Sequence, residues 1–312
     1  MQVSIVTPTY YRHQELPDML KALARQTRLP DEVVLVDGAP PEEMRTQQFI
    51  AAQGGQFPFA IVYLRRQGGT AIQRNHGIQA ARGQYIFFMD DDVRPNPDYV
   101  AEILAVFEAD TAHKIGGVAG YRTNQYFAME TMSRWRWYKR LGLLNVFEGG
   151  RYDYHNGYPI NNNMVPPFTG TRPVDFMTTA CSAYRRQVFD QGLRFDDFFI
   201  GFGVLEDAHL ALSAKKAGWQ LVQCGTATCI ELNSPSGRSK PFVIAERTCY
   251  NYYYVFKSIC GPLTLGQKWR FFRFQAFEWL RALGGMLRRP GRYAWGYFWG
   301  KTYGIVKTLV KG

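Results

Sequence analysis

The chain of 312 residues exceeds one ordinary domain and is short for two large ones, so one α/β unit with an appended region is expected. Hydrophobic residues at 46% and aromatics at 15% exclude a disordered or acidic solvating chain, while 20% charged residues keep it in the soluble globular class. The net charge of +11 is unevenly spread, with most of the excess after Gly266.

The N-terminus opens on Gln2-Val3-Ser4-Ile5-Val6, a strand pattern without the basic head and cleavage site of a signal peptide, which predicts a cytoplasmic protein. Residues 3–7 form a short apolar run, Leu16, Met19, Leu20 and Leu23 recur at helical spacing, and 32–36 is a second apolar run, giving strand, helix, strand. The alternation repeats with a strand at 59–64, a helix at 72–81 and a strand at 85–89, which predicts a parallel sheet with helices on both faces. A helix over 99–107 and a strand over 115–120 follow. Residues 122–173 are rich in Tyr, Trp, Asn, Gly and Pro without a clear period, the composition of loops that shape a cleft, with a helix near 132–144. A strand at 175–180, a helix at 206–217 and a strand at 220–223 come next, and beyond Ser236 the pattern is predominantly helical. No stretch reaches the ~18 uninterrupted apolar residues of a membrane-spanning helix. The cysteines, Cys181, Cys224, Cys229, Cys249 and Cys260, are odd in number and lack zinc-site spacing, so they read as reduced structural thiols.

Asp90-Asp91-Asp92 directly follows the apolar run 85–89, at the carboxyl end of an expected buried parallel strand, where open α/β sheets bind ligands. Alternation along an extended chain puts Asp90 and Asp92 on one side, and two oxygen donors there suit a hard divalent cation bridging diphosphate oxygens. A solvated acidic turn is the plainer alternative. Arg74, in Arg74-Asn75-His76-Gly77, lies on the helix leading into this loop, where a guanidinium meets phosphate or simply faces solvent. Glu206-Asp207 opens a predicted helix, where the macrodipole favours an ionised carboxylate able to accept a proton; the alternative is a structural N-cap.

Taken together, Val3-Ser4-Ile5-Val6-Thr7-Pro8-Thr9-Tyr10, Val33-Val34-Leu35-Val36-Asp37-Gly38, Arg74-Asn75-His76-Gly77, Asp90-Asp91-Asp92 and Gly203-Val204-Leu205-Glu206-Asp207, with Leu210 and Gly218-Trp219 beyond, resemble the family 2 inverting glycosyltransferases of GT-A fold over residues 1–235. The resemblance implies an α/β fold with a mostly parallel sheet flanked by helices and a C-terminal helical extension. It implies that Pro8, Thr9, Tyr10 and Asp37 hold the nucleobase, Arg74 the nucleotide and Asp90 the ribose, with Asp91 also at the donor. Asp92 would hold Mg2+ or Mn2+, and Asp207, beside Glu206, would be the general base of a single inverting displacement. Three positions depart from the family pattern. Gly38 stands where many relatives have a second aspartate, Tyr11 where asparagine is common, and Glu231 where relatives often carry a metal-binding histidine. Glu231 is therefore a candidate second metal ligand, with Asn233 or water as alternatives.

From Lys268 to Lys311 ten cations face the single acid Glu278, interleaved with aromatics such as Trp269, Trp279, Trp295 and Trp299. Arg270, Arg281 and Arg288 return to nearly one azimuth, leaving a wide aromatic face, the pattern of an interfacial helix at an anionic membrane surface. Packing on the protein core or a homo-oligomer partner is the alternative, and no nucleic-acid module is present to support a single-strand reading. The chain thus reads as a nucleotide-sugar-binding half (1–125), an acceptor and catalytic-base half (126–235) and a basic-aromatic membrane-proximal region (236–312). The expected activity moves a sugar from a UDP- or dTDP-sugar to a lipid-linked or surface glycan at the inner face of the cell membrane. A nucleotidyltransferase acting on sugar phosphates and a catalytically inactive membrane-bound scaffold are the competing readings.

Overall fold

The computed structural model describes residues 1–201, 203–234 and 239–312. In chain order the elements are β1 (Val3–Thr9), α1 (Leu16–Leu23), β2 (Glu32–Asp37), α2 (Arg45–Gln53), β3 (Ala60–Arg65), α3 (Thr70–Ala80), β4 (Tyr85–Met89), β5 (Val93–Pro95), α4 (Tyr99–Ala109) and β6 (Ile115–Arg122). They continue as α5 (Ser133–Arg140), β7 (Tyr152–Asp153), β8 (Tyr158–Pro159), β9 (Thr171–Pro173), β10 (Cys181–Arg185), α6 (Arg186–Asp190), α7 (Glu206–Lys216), β11 (Gln220–Glu231), α8 (Pro241–Cys260), α9 (Leu265–Arg288) and α10 (Arg292–Lys311). By contacts they form two compact units: Met1–Phe127 with Val165–Gly237, and Ala128–Met164 with Arg238–Gly312. This division groups residues differently from the division by role read from the sequence, whose boundary at 235–236 lies outside the described residues.

The first unit is built on a sheet of order β3-β2-β1-β4-β10-β6-β11-β5, with β9 added on β11. Its first four strands are mutually parallel, and every residue of β1, β2 and β4 is buried, as strands covered on both faces require. Leu16, Met19, Leu20 and Leu23 of α1 are buried in the same core as Val3, Ile5 and Phe87. Pairing of Val6 with Phe88 and of Thr9 with Asp37 brings the ends of β1, β2 and β4 to one edge, so the acidic triplet leaves the sheet beside Thr9 and Asp37. This is the GT-A-type mostly parallel α/β architecture.

The second half of the sheet is mixed. The strand expected at 175–180 is instead β10 at Cys181–Arg185, antiparallel to both β4 and β6. Both stretches are short and mix apolar with polar residues, but only the later one reaches two neighbours and satisfies its backbone on both sides. β11 runs on to Glu231, beyond the expected end at Gln223, by pairing with β6, β9 and β5.

The second unit is helical. Gly300 and Gly304 let α10 lie close on α8: an added Cβ would stand 2.2 Å from the Phe242 carbonyl oxygen and 2.6 Å from that of Glu246. Cys249, Tyr253 and Phe256 of α8 pack with Phe271 of α9. Thr264 and Gln267 cap the start of α9 reciprocally, side chain to backbone. Glu278 of α9 accepts from Tyr138 Oη at 2.6 Å and from Arg281 Nε and Nη2 at 3.0 and 2.8 Å. Its burial opposes ionisation, yet Arg281 and Tyr138 hold its carboxyl below the usual range. No helix among the described residues is long and apolar enough to cross a membrane.

Candidate active site

One wall of the candidate site is the carboxyl edge of β1 and β2. Asp37 is fully buried; its two carboxylate oxygens accept from the Ala39 N–H (2.9 Å) and the Tyr63 hydroxyl (3.0 Å). Gln73 of α3 donates its amide to the carbonyls of Thr9 (2.9 Å) and Val36 (2.6 Å), locking both strand ends to the helix. The same amide lies 2.9 Å from where a Cβ at Gly38 would stand, so the position that departs from the family's second aspartate is filled by Gln73. Pro8 is buried, whereas Tyr10 is exposed, its ring edge-on to Tyr11 with centroids 4.6 Å apart. Tyr11 takes a left-handed backbone conformation, φ 56°, a region where asparagine is better tolerated than tyrosine.

The acidic triplet does not continue as an extended chain. The Val93 N–H donates to the Asp90 carbonyl at 3.1 Å, making a turn, so strand alternation does not order the three carboxylates. Instead Arg12 Nη1 lies 2.7 Å from Asp91 Oδ1 and 3.0 Å from Asp92 Oδ2. Asp91 also accepts from Thr9 Oγ1 at 2.8 Å, and Asp92 from the Ser234 N–H at 2.9 Å. Burial pushes the Asp91 carboxyl up to about 7 against the opposing pull of Arg12 and Thr9. Asp90 is the most solvent-accessible carboxylate of the three, its side chain 31% exposed.

Arg74 joins this loop to the second acidic segment. Its Nη2 lies 2.9 Å from Asp90 Oδ1 and its Nη1 3.0 Å from Glu206 Oε1, which is 132 residues away in the chain. The arginine is held from behind: Gly77, one turn on, lets α3 approach β1 so closely that a Cβ would stand 2.3 Å from Val6 Cγ1. Asn75 makes a reciprocal pair of bonds with the Phe195 backbone, at 2.8 and 2.9 Å, and Arg74 stacks over the Phe195 ring. Thr70 at the start of α3 donates its N–H to the Gly201 carbonyl and its hydroxyl to Glu206. The loop before α7 is thereby tied to α3.

The residue preceding α7 is Leu205, in a left-handed conformation (φ 71°) that is uncommon for a branched residue and that turns Glu206 and Asp207 into the first helical turn. Neither acid is the N-cap, so the structural alternative for this dipeptide does not hold. Asp207 Oδ1 accepts from the Ala208 N–H at 2.7 Å. Burial, with a smaller contribution from Glu206, pushes the Asp207 carboxyl up to about 7. Glu231, at the end of β11, gives Oε2 to Arg122 Nη1 at 2.5 Å, while the next residue's N–H bonds the Asp92 carbonyl at 2.9 Å.

The structure therefore brings Thr9, Asp90, Asp91, Asp92, Arg74, Glu206 and Asp207 into one connected constellation, with Asp37 and Glu231 at its borders. Arg12 was not singled out in the sequence. Its one signal is a cation just past a strand end that must neutralise something. Five carboxyls, those of residues 90–92, 206 and 207, share two guanidiniums, Arg12 and Arg74, and two of those carboxyls are held near neutral pH. The donors are all oxygens with excess negative charge, the chemistry a hard divalent cation takes, but among the described residues no three such side chains are gathered to hold one. Asp90 Oδ2 and Asp92 Oδ1 have no protein partner among the described residues.

The model of the family "Glycosyl transferase family 2" matches residues 4–193. An uncharacterised glycosyltransferase of Haemophilus influenzae is 31% identical over 106 residues, 34% of this chain and 34% of that protein. The undecaprenyl-phosphate 4-deoxy-4-formamido-L-arabinose transferase of Pseudomonas fluorescens is 31% identical over 109 residues, 34% of this chain and 32% of that protein. The chain thus spans about a third of the length of these curated relatives. Among solved structures, the mannosyltransferase PcManGT from Pyrobaculum calidifontis, in complex with GDP-Man and Mn2+, superposes with a TM-score of 0.58 at 17% identity over 100% of this chain and 88% of that one. S. aureus TarS 1–349 gives a TM-score of 0.51 at 16% identity, covering 100% and 92%. Both likenesses are likenesses of fold.

Proposed function

Because the chain belongs to glycosyl transferase family 2, we propose that it transfers a sugar from a nucleotide-sugar donor to a lipid-linked or surface glycan by a single inverting displacement, with Asp207 as the base. The observation that carries this reading is Arg74, which holds Asp90 of the triplet after β4 and Glu206 at the start of α7 on one guanidinium. A donor phosphate bound near Asp90 and an acceptor hydroxyl beside Asp207 would then lie within reach of each other. A nucleotidyltransferase has no need of a base at that second position.

In this reading Thr9, Tyr10 and Asp37 receive the nucleobase of a UDP- or dTDP-sugar, with Pro8 shaping the wall beneath it. Arg74 and Asp91 face the nucleotide, and Asp90 the ribose. Asp92 would hold Mg2+ or Mn2+, which would supply positive charge to offset that growing on the departing nucleoside diphosphate. Glu231 is the second candidate ligand, and Arg122 competes for it. Excess carboxylate at the site and the Mn2+ in the PcManGT complex support the metal. Asp207 takes the acceptor proton, and a carboxyl near 7 is matched to that task at neutral pH. Glu206, bound by Arg74 and Thr70, positions the arginine and Asp207. The lipid-linked acceptor is supported by the relative named as an undecaprenyl-phosphate sugar transferase, and with such an acceptor the enzyme would work at the inner face of the membrane.

The test is transfer from a panel of UDP-, dTDP- and GDP-sugars with Mn2+, comparing wild type with Asp207→Asn. The variant should lose about a thousandfold in kcat while binding donor as before. Wild-type turnover by that variant overturns the assignment of the base; pyrophosphate release from a nucleoside triphosphate and a sugar phosphate would favour the nucleotidyl reading.

A further inference from the structure

We propose that the outer face of α9 and α10 is a docking surface for an anionic lipid bilayer. The aromatic side chains of the basic C-terminal region divide between two directions. Phe271 and Phe274 of α9 and Phe298 of α10 are buried in the helical unit. Trp269, Leu280 and Leu287 of α9 point the other way and are 68%, 58% and 70% exposed. Their spacing of 11 and 7 residues returns to one azimuth, so they form a single stripe along the helix. On α10, Trp295, Trp299, Val306 and Val310 recur at helical spacing and are each about half exposed or more.

The two stripes open to the same side. Trp279 borders the first stripe and Thr302 the second, and the indole N–H of Trp279 donates to the Thr302 hydroxyl at 2.9 Å. The hydrogen bond joins the inner margins of the stripes into one apolar face. Isolated exposed apolar residues are ordinary, but an ordered face over two long helices requires a cover.

Charge identifies the cover. Lys268, Arg288, Arg289, Arg292 and Lys311 are exposed and have no acidic partner among the described residues. Glu278, the only acid after Gly261, is consumed by Arg281 and Tyr138. A second copy of the chain would bring the same uncompensated cations against these, whereas phospholipid phosphates neutralise them and accept the indole rings at headgroup depth. No helix among the described residues is long and apolar enough to cross the bilayer; in this arrangement α9 and α10 lie along it.

The test uses the full chain and reads binding alone, so it is independent of the transfer reaction. Co-sedimentation with vesicles of equal parts phosphatidylcholine and phosphatidylglycerol should exceed that with phosphatidylcholine alone and should weaken as salt rises. A variant with Arg288, Arg289 and Arg292 all changed to Gln should bind about a hundredfold more weakly, at about fivefold per cation. A variant with Trp269, Trp295 and Trp299 changed to Gln should lose about tenfold or more. Circular dichroism and thermal unfolding check that each variant folds. Should either misfold, brominated lipid quenching of wild-type tryptophan fluorescence reads the same insertion without mutation. Absence of wild-type binding or of quenching overturns the proposal, as does binding that both folded variants retain. Self-association abolished by the tryptophan variant, with no vesicle binding, assigns the face to a second copy instead.

Discussion

Each compact unit sets an arginine against a buried carboxylate, but Arg74 of the sheet unit is itself buried whereas Arg281 of the helical unit is exposed. In the helical unit Glu278 is matched by Arg281, three residues away, and by the Tyr138 hydroxyl, and both of its oxygens are used. In the sheet unit Arg74 serves Asp90 and Glu206 from distant parts of the chain, Asp207 stands beside them, and the buried Nε of Arg74 has no partner among the described residues. A satisfied local cluster holds a fold together. A cluster with surplus acid and an idle donor is poised to take up ligand groups.

The sharpest way to break this comparison is to disable each cluster in turn. Arg74→Met should leave Asp90 and Glu206 without their cation, costing about 3 kcal/mol of stability and at least about a hundredfold in transfer rate. Glu278→Gln should cost less, about 1 kcal/mol, because the partly exposed Arg281 keeps solvent around its charge, and should leave turnover per folded molecule as it was. Denaturant unfolding and steady-state kinetics on both variants check this; equal losses of turnover would erase the distinction.

Acidity sharpens it next. Asp207 and Asp91 are both raised to about 7, so if Asp207 is the base, as proposed, transfer should fall about tenfold between about pH 8 and about pH 6. Between the ordinary carboxylate range and about 7 the folded chain holds protons that the unfolded chain has released. The stability contributed by these two groups is therefore lost as pH rises through that window. Glu278 has the opposite sign: its lowered carboxyl contributes stability above the usual carboxylate range and loses it as pH falls into acid. Melting curves of Asp207→Asn and Glu278→Gln against pH should therefore diverge from wild type in opposite windows.

The smallest expected effect is a thermal shift. Mn2+ with a nucleoside diphosphate, at about a hundred times the dissociation constant, should add about 2.7 kcal/mol, a shift of several degrees. Asp92→Asn should remove that gain, and a chelator should reverse it. Glu278→Gln should keep it.

Much of the parallel half of the sheet was legible because β1, β2 and β4 are buried on both faces and their apolar runs are unbroken. The acidic triplet and the acids opening α7 were legible because strand end and helix start are marked locally. α2 was not, since its apolar residues are confined to Phe49, Ile50, Ala51 and Ala52 in one run and it buries only Thr46 fully. β10 was misplaced by six residues because its register depends on β4 and β6, partners that local periodicity cannot name. Arg12 was missed for the same reason: its role exists only once Asp91 and Asp92 are folded against it. The C-terminal helices were legible as amphipathic, but which aromatics turn inward depends on α8.

The reach of Arg74 bears on how the protein is made. During synthesis its guanidinium emerges long before residue 206, and until that stretch leaves the ribosome only half of its eventual counter-charge exists. A bare buried cation is costly, so α3 has reason to stay loosely seated until the late segment arrives and draws it down. Chain termination anywhere before Glu206 would leave a nascent product with the carboxyl edge of the sheet drafted but never fastened.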